Sequence, residues 1–349
     1  MPVLNVSMLQ KRFNLEAGFF ARFGRFINAV NGVSFSIGKN EAYGLVGESG
    51  CGKTTTARLL VRMYEADAGE ILYFNENEPM SVGSLQKEDL RRYREKVRYV
   101  FQDPARSLNP RMSVYEVMVS GCRVPLKRRG IGEKELREKA AAILEEVGLQ
   151  ADDLEKRPSQ FSGGQRQRIS IARGLLMEPE ILICDEVVSA LDVSIQGQIL
   201  NLLLDIRAKR DMSFLFIAHD LKVACYFCDR IGVMYKGELM EEAPAAELYR
   251  EALHPYTQLL FSSAAGISKE THTEAQRRRE RGVFESTAPQ NPLRASAPLR
   301  DIPGTSCSFA PRCTQATERC WREHPDFSES ASGHFIRCFN PCCPNPSIP

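Results

Sequence analysis

The first residues of the chain alternate between apolar and polar side chains. Leu4, Val6 and Met8 are separated by Asn5 and Ser7, and a period of two predicts a half-buried strand. Three later runs are short and continuously apolar, which is typical of strands buried on both faces. These runs are residues 42–46, 181–184 and 213–218. Because stretches of helical character lie between them, the pattern predicts an α/β fold with a parallel sheet covered by helices on both faces.

Three parts of the chain differ in pattern. Residues 1–265 carry the alternating strands and helices, and we expect them to form one domain. Within that domain, residues 103–179 are helical and charged, which predicts an inserted helical subdomain. Residues 266–304 include a basic run at 276–281 and the start of a stretch rich in Pro, Ala and Ser at 286–306, and they predict a linker. Residues 305–345 hold six of the 11 cysteines and are expected to form a small extension.

The composition restricts the partners of the protein. Hydrophobic residues make up 43% and charged residues 26% of the 349 residues, an ordinary globular balance. A net charge of +2 gives no reason to expect nucleic acid as a partner. No apolar run reaches the ~18 residues that cross a bilayer, and a predicted strand stands where a signal peptide would be. We therefore expect a protein that serves any membrane from its cytoplasmic side.

A glycine-rich loop follows the first apolar run. Residues 47–54 read GESGCGKT and match G-x-x-x-x-G-K-[ST], with helical character at residues 55–63. Glycines let backbone N–H groups approach phosphate oxygens, and a helix N-terminus adds partial positive charge. We expect Lys53 to reach the β- and γ-phosphates and the Thr54 hydroxyl to ligate Mg²⁺. The expected phosphate-binding residues are Gly47, Glu48, Ser49, Gly50, Cys51, Gly52, Lys53, Thr54 and Thr55.

Two carboxylates follow the apolar run at residues 181–184. Asp185 and Glu186 are expected at the carboxyl edge of the sheet, where such folds bind ligands. Asp185 would hold Mg²⁺ through a water molecule, and Glu186 would polarise an attacking water as general base. An Asp-Glu pair is common by itself, but downstream of a phosphate loop it predicts hydrolysis of a nucleoside triphosphate.

Four further features narrow the choice among kinases, GTPases and nucleotide-driven motors. Residues 161–168, FSGGQRQR, resemble the signature of the ABC ATPases, and residues 189–192, SALD, resemble their D-loop. Gln102 and His219 resemble the Q-loop glutamine and the switch histidine. The resemblance implies a P-loop NTPase fold of the ABC ATPase type, with a parallel sheet, an antiparallel β subdomain and a helical signature subdomain.

The resemblance also implies that two ATPase subunits share each ATP. The signature of one subunit closes over the γ-phosphate that its partner holds. Gln102 is implied to contact Mg²⁺ and the attacking water, and His219 the γ-phosphate; with Glu186 and Lys53 they are the implied catalytic residues. The implied ATP contacts from the signature and D-loop are Ser162, Gly163, Gly164, Gln165 and Asp192.

One aromatic residue is implied to stack on adenine, and two positions depart from the family pattern. Phe13 is the expected stacking residue, and Phe19 or Phe20 could stack in its place. Alternatively, Phe13 is an ordinary residue of the hydrophobic core. Val187 stands where the family usually has proline, and Phe161 where leucine is commoner. Neither departure removes a catalytic group.

Segments after residue 250 resemble one branch of the ABC ATPases. Residues 253–257 (LHPYT), 302–304 (IPG) and 307–313 (CSFAPRC) are similar to the ATPase subunits of oligopeptide, dipeptide and nickel importers. This resemblance implies a peripheral protein on the cytoplasmic face of a bacterial inner membrane. Implied partners are a second ATPase subunit (a paralogue or a second copy), two transmembrane permeases and an extracytoplasmic peptide-binding protein. A nickel or glutathione importer and a soluble, non-transport ABC ATPase are the alternatives.

The extension carries four cysteines in the pattern C-x5-C-x6-C-x17-C, namely Cys307, Cys313, Cys320 and Cys338. The spacing differs from the paired C-x2-C of common zinc ribbons. Four thiolates on an irregular loop can hold a [4Fe–4S] cluster, and relatives in the importer branch carry a similar pattern. Zinc is the alternative, with His334 as a ligand if Cys338 is not used, and free thiols are the third reading.

Overall fold

The computed structural model describes residues 2–14, 26–75, 78–189, 191–263, 306–331 and 333–342. The predicted linker at 266–304 and the alternative stacking residues Phe19 and Phe20 lie outside these ranges. The chain divides into two compact units. The first comprises Met1–Ile37, Ala42–Gly83 and Ile217–Pro349, and the second comprises Gly38–Glu41 and Ser84–Phe216.

The strands, numbered along the whole chain, mostly lie in the first unit. One group, in the order β2-β1-β4-β5, forms an antiparallel sheet. A second group follows the order β11-β12-β10-β9-β3. The strands of the first unit are β1 Pro2–Asn14, β2 Phe26–Gly38, β3 Ala42–Val46, β4 Ala68–Asn75, β5 Glu78–Ser81, β9 Arg230–Tyr235, β10 Glu238–Pro244, β11 Ser328–Ala331 and β12 His334–Ile336. The strands of the second unit are β6 Val97–Val100, β7 Ile181–Asp185 and β8 Ser213–Ala218, the last of which runs on into the first unit.

Strand β1 confirms the predicted N-terminal strand but breaks its alternation. Leu4 and Val6 are buried as the pattern predicts, whereas Met8 is 60% exposed and Leu9 is buried. The pairing with β4 shifts register between Ser7 and Gln10, and Met8 has a φ of 48°. A bulge of this kind adds one residue to the strand and so reverses which side chains face the core.

The cysteine-rich extension adds strands to a sheet of the first unit. Strands β3 and β9 are parallel, as predicted, but β10 runs antiparallel to β9. Strand β12 of the extension then pairs antiparallel with β10, with Ile336 opposite Glu241, and β11 pairs with β12. The sheet is therefore mixed where the sequence predicted parallel strands, because the chain returns as hairpins after β9.

The helices of the first unit are short. Helix α1 begins at Lys53 directly after Gly52, whose φ is 113°, and ends at Leu60, before the positive φ of Arg62. It therefore starts and ends earlier than the predicted residues 55–63. The other helices of this unit are α9 Leu221–Phe227, α10 Ala245–Arg250, α11 Pro255–Ser263 and α12 Glu318–Arg322, with a 3₁₀ turn at Ala310–Arg312.

The second unit is mostly helical and surrounds a short parallel strand pair. Strands β6 and β7 are parallel, with Val97 opposite Ile181, and every residue of β7 is buried. Its helices are α2 Lys87–Lys96, α3 Pro104–Ser107, α4 Val114–Val119, α5 Arg123–Arg128, α6 Glu133–Glu146, α7 Gly163–Leu175 and α8 Val193–Lys209. Across the described ranges, no helix has the length and apolar character needed to span a membrane.

Candidate nucleotide site and cysteine extension

The glycine-rich loop lies between β3 and α1. The Lys53 side chain is 3% exposed, and its Nζ donates to the carbonyl oxygens of Gly47 at 2.8 Å and Glu48 at 3.0 Å. The backbone N–H of Glu48 donates to the Tyr256 hydroxyl at 2.9 Å. These bonds hold the lysine ammonium beside the start of α1, an arrangement that suits an anionic phosphate chain.

Two glycines of this loop are required by close packing as well as by backbone angle. A Cβ at Gly47 would lie 2.1 Å from the carbonyl oxygen of Met234, and one at Gly52 would lie 2.1 Å from that of Ala29. Both glycines have positive φ, 157° and 113°. Neighbouring backbone therefore presses on the loop from β2 and from β9, and only glycine fits there.

The Cys51 thiol is buried inside the same loop. Burial raises its pKa, although the nearby Lys53 ammonium acts in the opposite direction. Cys51 is therefore a protonated, space-filling thiol in this structure, and a weak nucleophile.

The two predicted carboxylates stand at the end of β7 in the second unit. Asp185 is 2% exposed and accepts a hydrogen bond from the Tyr99 hydroxyl at 2.5 Å. Glu186 is half-buried with a φ of 48°, and its Oε2 accepts a hydrogen bond from Gln102 Nε2 at 2.6 Å. The structure thus brings Gln102 and Glu186 together, and the positive φ of Glu186 is a strained backbone conformation.

The signature segment caps helix α7. The Ser162 hydroxyl accepts the Gln165 backbone N–H at 3.3 Å, and the Gln165 side chain accepts the Ser162 N–H at 2.9 Å. This capping box leaves both side chains exposed at the helix N-terminus. A Cβ at Gly164 would lie 2.6 Å from the Cγ2 atom of Ile195 in helix α8, so a larger residue would force the Ile195 side chain to move.

The remaining predicted site residues lie near helix ends or on a strand. Asp192 is exposed at the N-cap of α8, and His219 is exposed between β8 and α9. Phe13 is half-buried near the end of β1, with its ring 5.3 Å from that of Tyr64 and Lys11 Nζ 5.7 Å above it. The glycine-rich loop and His219 belong to the first unit, whereas Asp192 belongs to the second.

The extension places its four predicted ligand cysteines near one another. The backbone N–H of Cys307 donates to the Cys320 carbonyl at 2.9 Å. Asn340 contacts two of the thiols, through its N–H to Cys338 Sγ at 3.3 Å and through Nδ2 to Cys320 Sγ at 3.9 Å. Burial raises the pKa of Cys338 to about 12, and the negative charges of Cys307, Cys313 and Cys320 add to that rise.

The arrangement of these thiols in the described residues supports neither the predicted cluster nor the zinc alternative. Among the residues that the structure describes, no group of three or more His, Cys, Asp or Glu side chains is arranged to hold one ion. The zinc alternative would use His334 as a ligand only if Cys338 is not used. The His334 Nε2 instead lies 2.8 Å from Glu241 Oε1, and both side chains are buried.

The extension also makes contacts that the sequence did not indicate. Arg312 binds the Glu48 carboxylate through two hydrogen bonds, at 2.7 and 2.8 Å. The His324 ring contacts Glu238 at 3.0 Å. The sequence motifs did not predict a role for Tyr99 either, because its only signal in the sequence is its position three residues before Gln102.

Comparison with known proteins identifies two family regions. The model of the ABC transporter family matches residues 30–189. The model of the oligopeptide/dipeptide transporter C-terminal region matches residues 240–320. The two matches together span the glycine-rich loop, the signature and the first part of the cysteine-rich extension, residues 305–320.

Two curated relatives are similar over nearly their whole length. The oligopeptide transport ATP-binding protein AppF of Bacillus subtilis is 40% identical over 338 residues, which is 96% of each chain. The dipeptide transport ATP-binding protein DppF of Haemophilus influenzae is 37% identical over 339 residues, which is 97% of each chain.

Solved structures show the same fold. The cbiO1 protein of Clostridium perfringens, part of the ABC transporter complex cbiONQ, has a TM-score of 0.60 and 27% identity, covering 72% of this chain and 92% of that one. A dimeric ATP-binding cassette in a post-hydrolysis state with ADP and phosphate has a TM-score of 0.59 and 27% identity, covering 69% of this chain and 98% of that one.

Proposed function

Because the chain belongs to the ATP-binding proteins of the ABC transporter family, we propose that it hydrolyses ATP to power an importer of short peptides. The peptide cargo is supported by the match to the oligopeptide/dipeptide transporter C-terminal region and by the names of the relatives. The observation that carries hydrolysis is the hydrogen bond between Gln102 and Glu186 directly after the buried Asp185.

Glu186 is the proposed general base. Its carboxylate is half-buried and held at 2.6 Å by Gln102 Nε2, so one oxygen is fixed while the other can accept a proton from water. A base positioned in this way contributes roughly 10²–10⁴ to the rate of a hydrolytic step. Gln102 is proposed to orient the base and the attacking water, and His219 to contact the γ-phosphate.

The phosphate loop is the proposed ATP-binding element. Lys53 would exchange its bonds to Gly47 and Glu48 for the β- and γ-phosphates. Thr54 and Asp185 offer hard oxygen ligands of the kind that Mg²⁺ prefers. Bound Mg²⁺ would neutralise charge on the triphosphate. The Tyr99 hydroxyl orients the Asp185 carboxylate for that role. Phe13 is the proposed adenine-stacking residue, since its half-buried ring is within reach of a ligand.

A second ATPase subunit is proposed to complete the site. Ser162 and Gln165 are exposed at the N-terminus of α7, where the helix dipole favours an anion. The Asp192 D-loop residue is exposed as well. These groups would contact the ATP held by the phosphate loop of the other subunit, which is supported by a similar cassette solved as a dimer.

The four extension cysteines are proposed to ligate a [4Fe–4S] cluster. Each cysteine of such a cluster binds a different iron, whereas zinc requires four ligands within about 2.3 Å of one ion. The electrostatic effect of Cys307, Cys313 and Cys320 on Cys338 supports four ligands that lie close to one another. The raised pKa values of Cys307, Cys313 and Cys338 mean that binding would release protons. The extension has little core of its own, so the cluster would act mainly as a structural tie.

Metal analysis tests that assignment. Purified protein should contain iron and sulfide and absorb broadly near ~400 nm, as iron–thiolate charge transfer requires. Cys338→Ser should lose most of the iron, whereas Cys342→Ser, in the same extension but outside the four, should keep it. Stoichiometric zinc in a colourless protein would contradict the cluster.

Location and partners follow from the proposed import function. We place the protein at the cytoplasmic face of the membrane, bound to two permease subunits and a second ATPase, with an extracytoplasmic peptide-binding protein. The test is mass spectrometry of what co-purifies with a tagged copy from its native membrane. Permeases, a second ATPase and a peptide-binding protein are expected. Recovery of this chain alone, or with ribosomal proteins, would contradict the proposal.

A further inference from the structure

A charged contact joins the cysteine-rich extension to the phosphate loop. The Arg312 guanidinium donates through Nη1 to Glu48 Oε2 at 2.7 Å and through Nη2 to Glu48 Oε1 at 2.8 Å. The two side chains are 39% and 31% exposed. Paired bonds of this kind fix the orientation of a carboxylate as well as its distance, which a single lysine bond does not.

Arg312 is itself rigidly placed. It ends the 3₁₀ turn Ala310–Arg312, where its backbone N–H donates to the Phe309 carbonyl at 2.9 Å. Its guanidinium lies 5.7 Å from the ring centre of Tyr235 and 5.9 Å from that of Phe309. Phe309 is 2% exposed. The guanidinium of Arg312 therefore lies between two buried aromatic rings and the loop. Because its position is already restricted, forming the pair with Glu48 costs little side-chain entropy.

Glu48 is tied on its backbone as well as on its side chain. Its N–H donates to the Tyr256 hydroxyl at 2.9 Å, and its carbonyl accepts from Lys53 Nζ at 3.0 Å. Tyr256 is fully buried, and its ring lies 5.4 Å from that of Phe309. The turn that carries Arg312 thus contacts both the side chain of Glu48 and the residue that holds its backbone.

Glu48 is the only acidic residue of the loop at residues 47–54. If its side chain were free, its negative charge could turn toward a bound triphosphate and oppose binding. We propose that Arg312 is a positioning residue for the phosphate loop, holding the Glu48 carboxylate away from the nucleotide and the loop in its binding shape. This inference rests on the proposed binding of ATP by the loop. The extension would then contribute directly to ATP affinity from a position outside the ATPase core.

Arg312→Gln in the full-length chain tests the inference. KM for MgATP should rise about fivefold, the size expected of a half-exposed bidentate pair, while kcat changes less than about twofold. The Kd for MgADP should rise less than the KM for MgATP, because ADP carries one phosphate fewer. Arg312→Lys, which keeps the charge but not the paired bonds, should fall between the wild type and Arg312→Gln, and it provides a reading if Arg312→Gln fails to fold.

A double-mutant cycle identifies the partner. In a chain that already carries Glu48→Gln, adding Arg312→Gln should weaken MgATP binding no further, because the arginine acts through Glu48. The matched control is Arg322→Gln, which removes an exposed arginine of the same extension that pairs with the exposed Glu318. This variant should leave KM unchanged.

Three results would overturn the inference. They are an unchanged KM in Arg312→Gln, an equal loss in the Glu48→Gln background (which would mean that Arg312 acts on the nucleotide directly), and an equal loss in Arg322→Gln. A wild-type chain that binds no MgATP would instead refute the proposed function, so the two failures are distinguishable.

Discussion

His254 should make the extension side of the molecule sensitive to acid. The side chain is 1% exposed just before α11. Its Nδ1 accepts the Tyr256 backbone N–H at 3.0 Å, so the ring is neutral and a second proton would face a donor. Burial lowers the pKa of His254 to about 4, against a smaller opposing effect of the Glu241 carboxylate.

The sign and size of the effect follow from linkage. Between pH 6.5 and about pH 4, His254 is protonated in the unfolded chain and neutral in the folded chain. Stability from this residue is therefore fully present above pH 6.5 and is lost as the pH falls toward 4. The difference between the two pKa values corresponds to about 3 kcal/mol, of which about 2 kcal/mol should be lost by pH 5.

The assay uses the fluorescence of Trp321, the only tryptophan of the chain, which lies in α12 of the extension. Urea unfolding is followed at pH 7.5, 6 and 5 for the wild type and for His254→Asn, whose side-chain oxygen can still accept the Tyr256 N–H. The wild type should lose about 2 kcal/mol more than the variant between pH 7.5 and 5. His219→Asn, which removes an exposed histidine, should keep the wild-type slope. Parallel pH profiles for the wild type and His254→Asn would refute the reasoning.

Two further substitutions test the site geometry. Gly47→Ala places a Cβ 2.1 Å from the Met234 carbonyl oxygen, so the loop must move. The Kd for MgATP should therefore rise at least about tenfold. An unchanged Kd in a binding titration would contradict the close packing at Gly47. Tyr99→Phe removes the hydroxyl that orients Asp185. The Mg²⁺ concentration for half-maximal activity should rise about tenfold, while activity at saturating Mg²⁺ is largely kept. An unchanged Mg²⁺ dependence of turnover would show that Tyr99 does not act on the Mg²⁺ site.

Continuous apolar runs predicted their strands well. The runs at 42–46 and 213–218 coincide with β3 and β8, and 181–184 with all but the last residue of β7. The side chains of such a run are buried only when both faces of the strand are covered. Tertiary packing therefore has little freedom to change where these strands begin and end. The helix after the phosphate loop was placed less well, because its ends depend on the backbone angles of Gly52 and Arg62.

Long-range pairs could not be read from motifs. Arg312 and Glu48 are 264 residues apart in the chain, and Tyr99 and Asp185 are 86 apart. Each pair is made by residues that are ordinary in their local sequence. The bulge at Met8 also depends on a long-range pairing. The local sequence of β1 does not show the register shift, which is defined only by the pairing of β1 with β4. The glycine-rich loop, Asp185 and Glu186 were predictable because their chemistry requires a local order of residues.

The most direct test of the central claim is the turnover of ATP by Glu186→Gln. The substitution keeps the shape of the side chain beside Gln102 but removes the base, so the rate of phosphate release should fall by roughly 10²–10⁴ while MgATP binding is kept. Glu180→Gln, at the other end of β7 and paired with Lys96 on the surface, should hydrolyse ATP like the wild type. Turnover by Glu186→Gln at the wild-type rate would contradict the account.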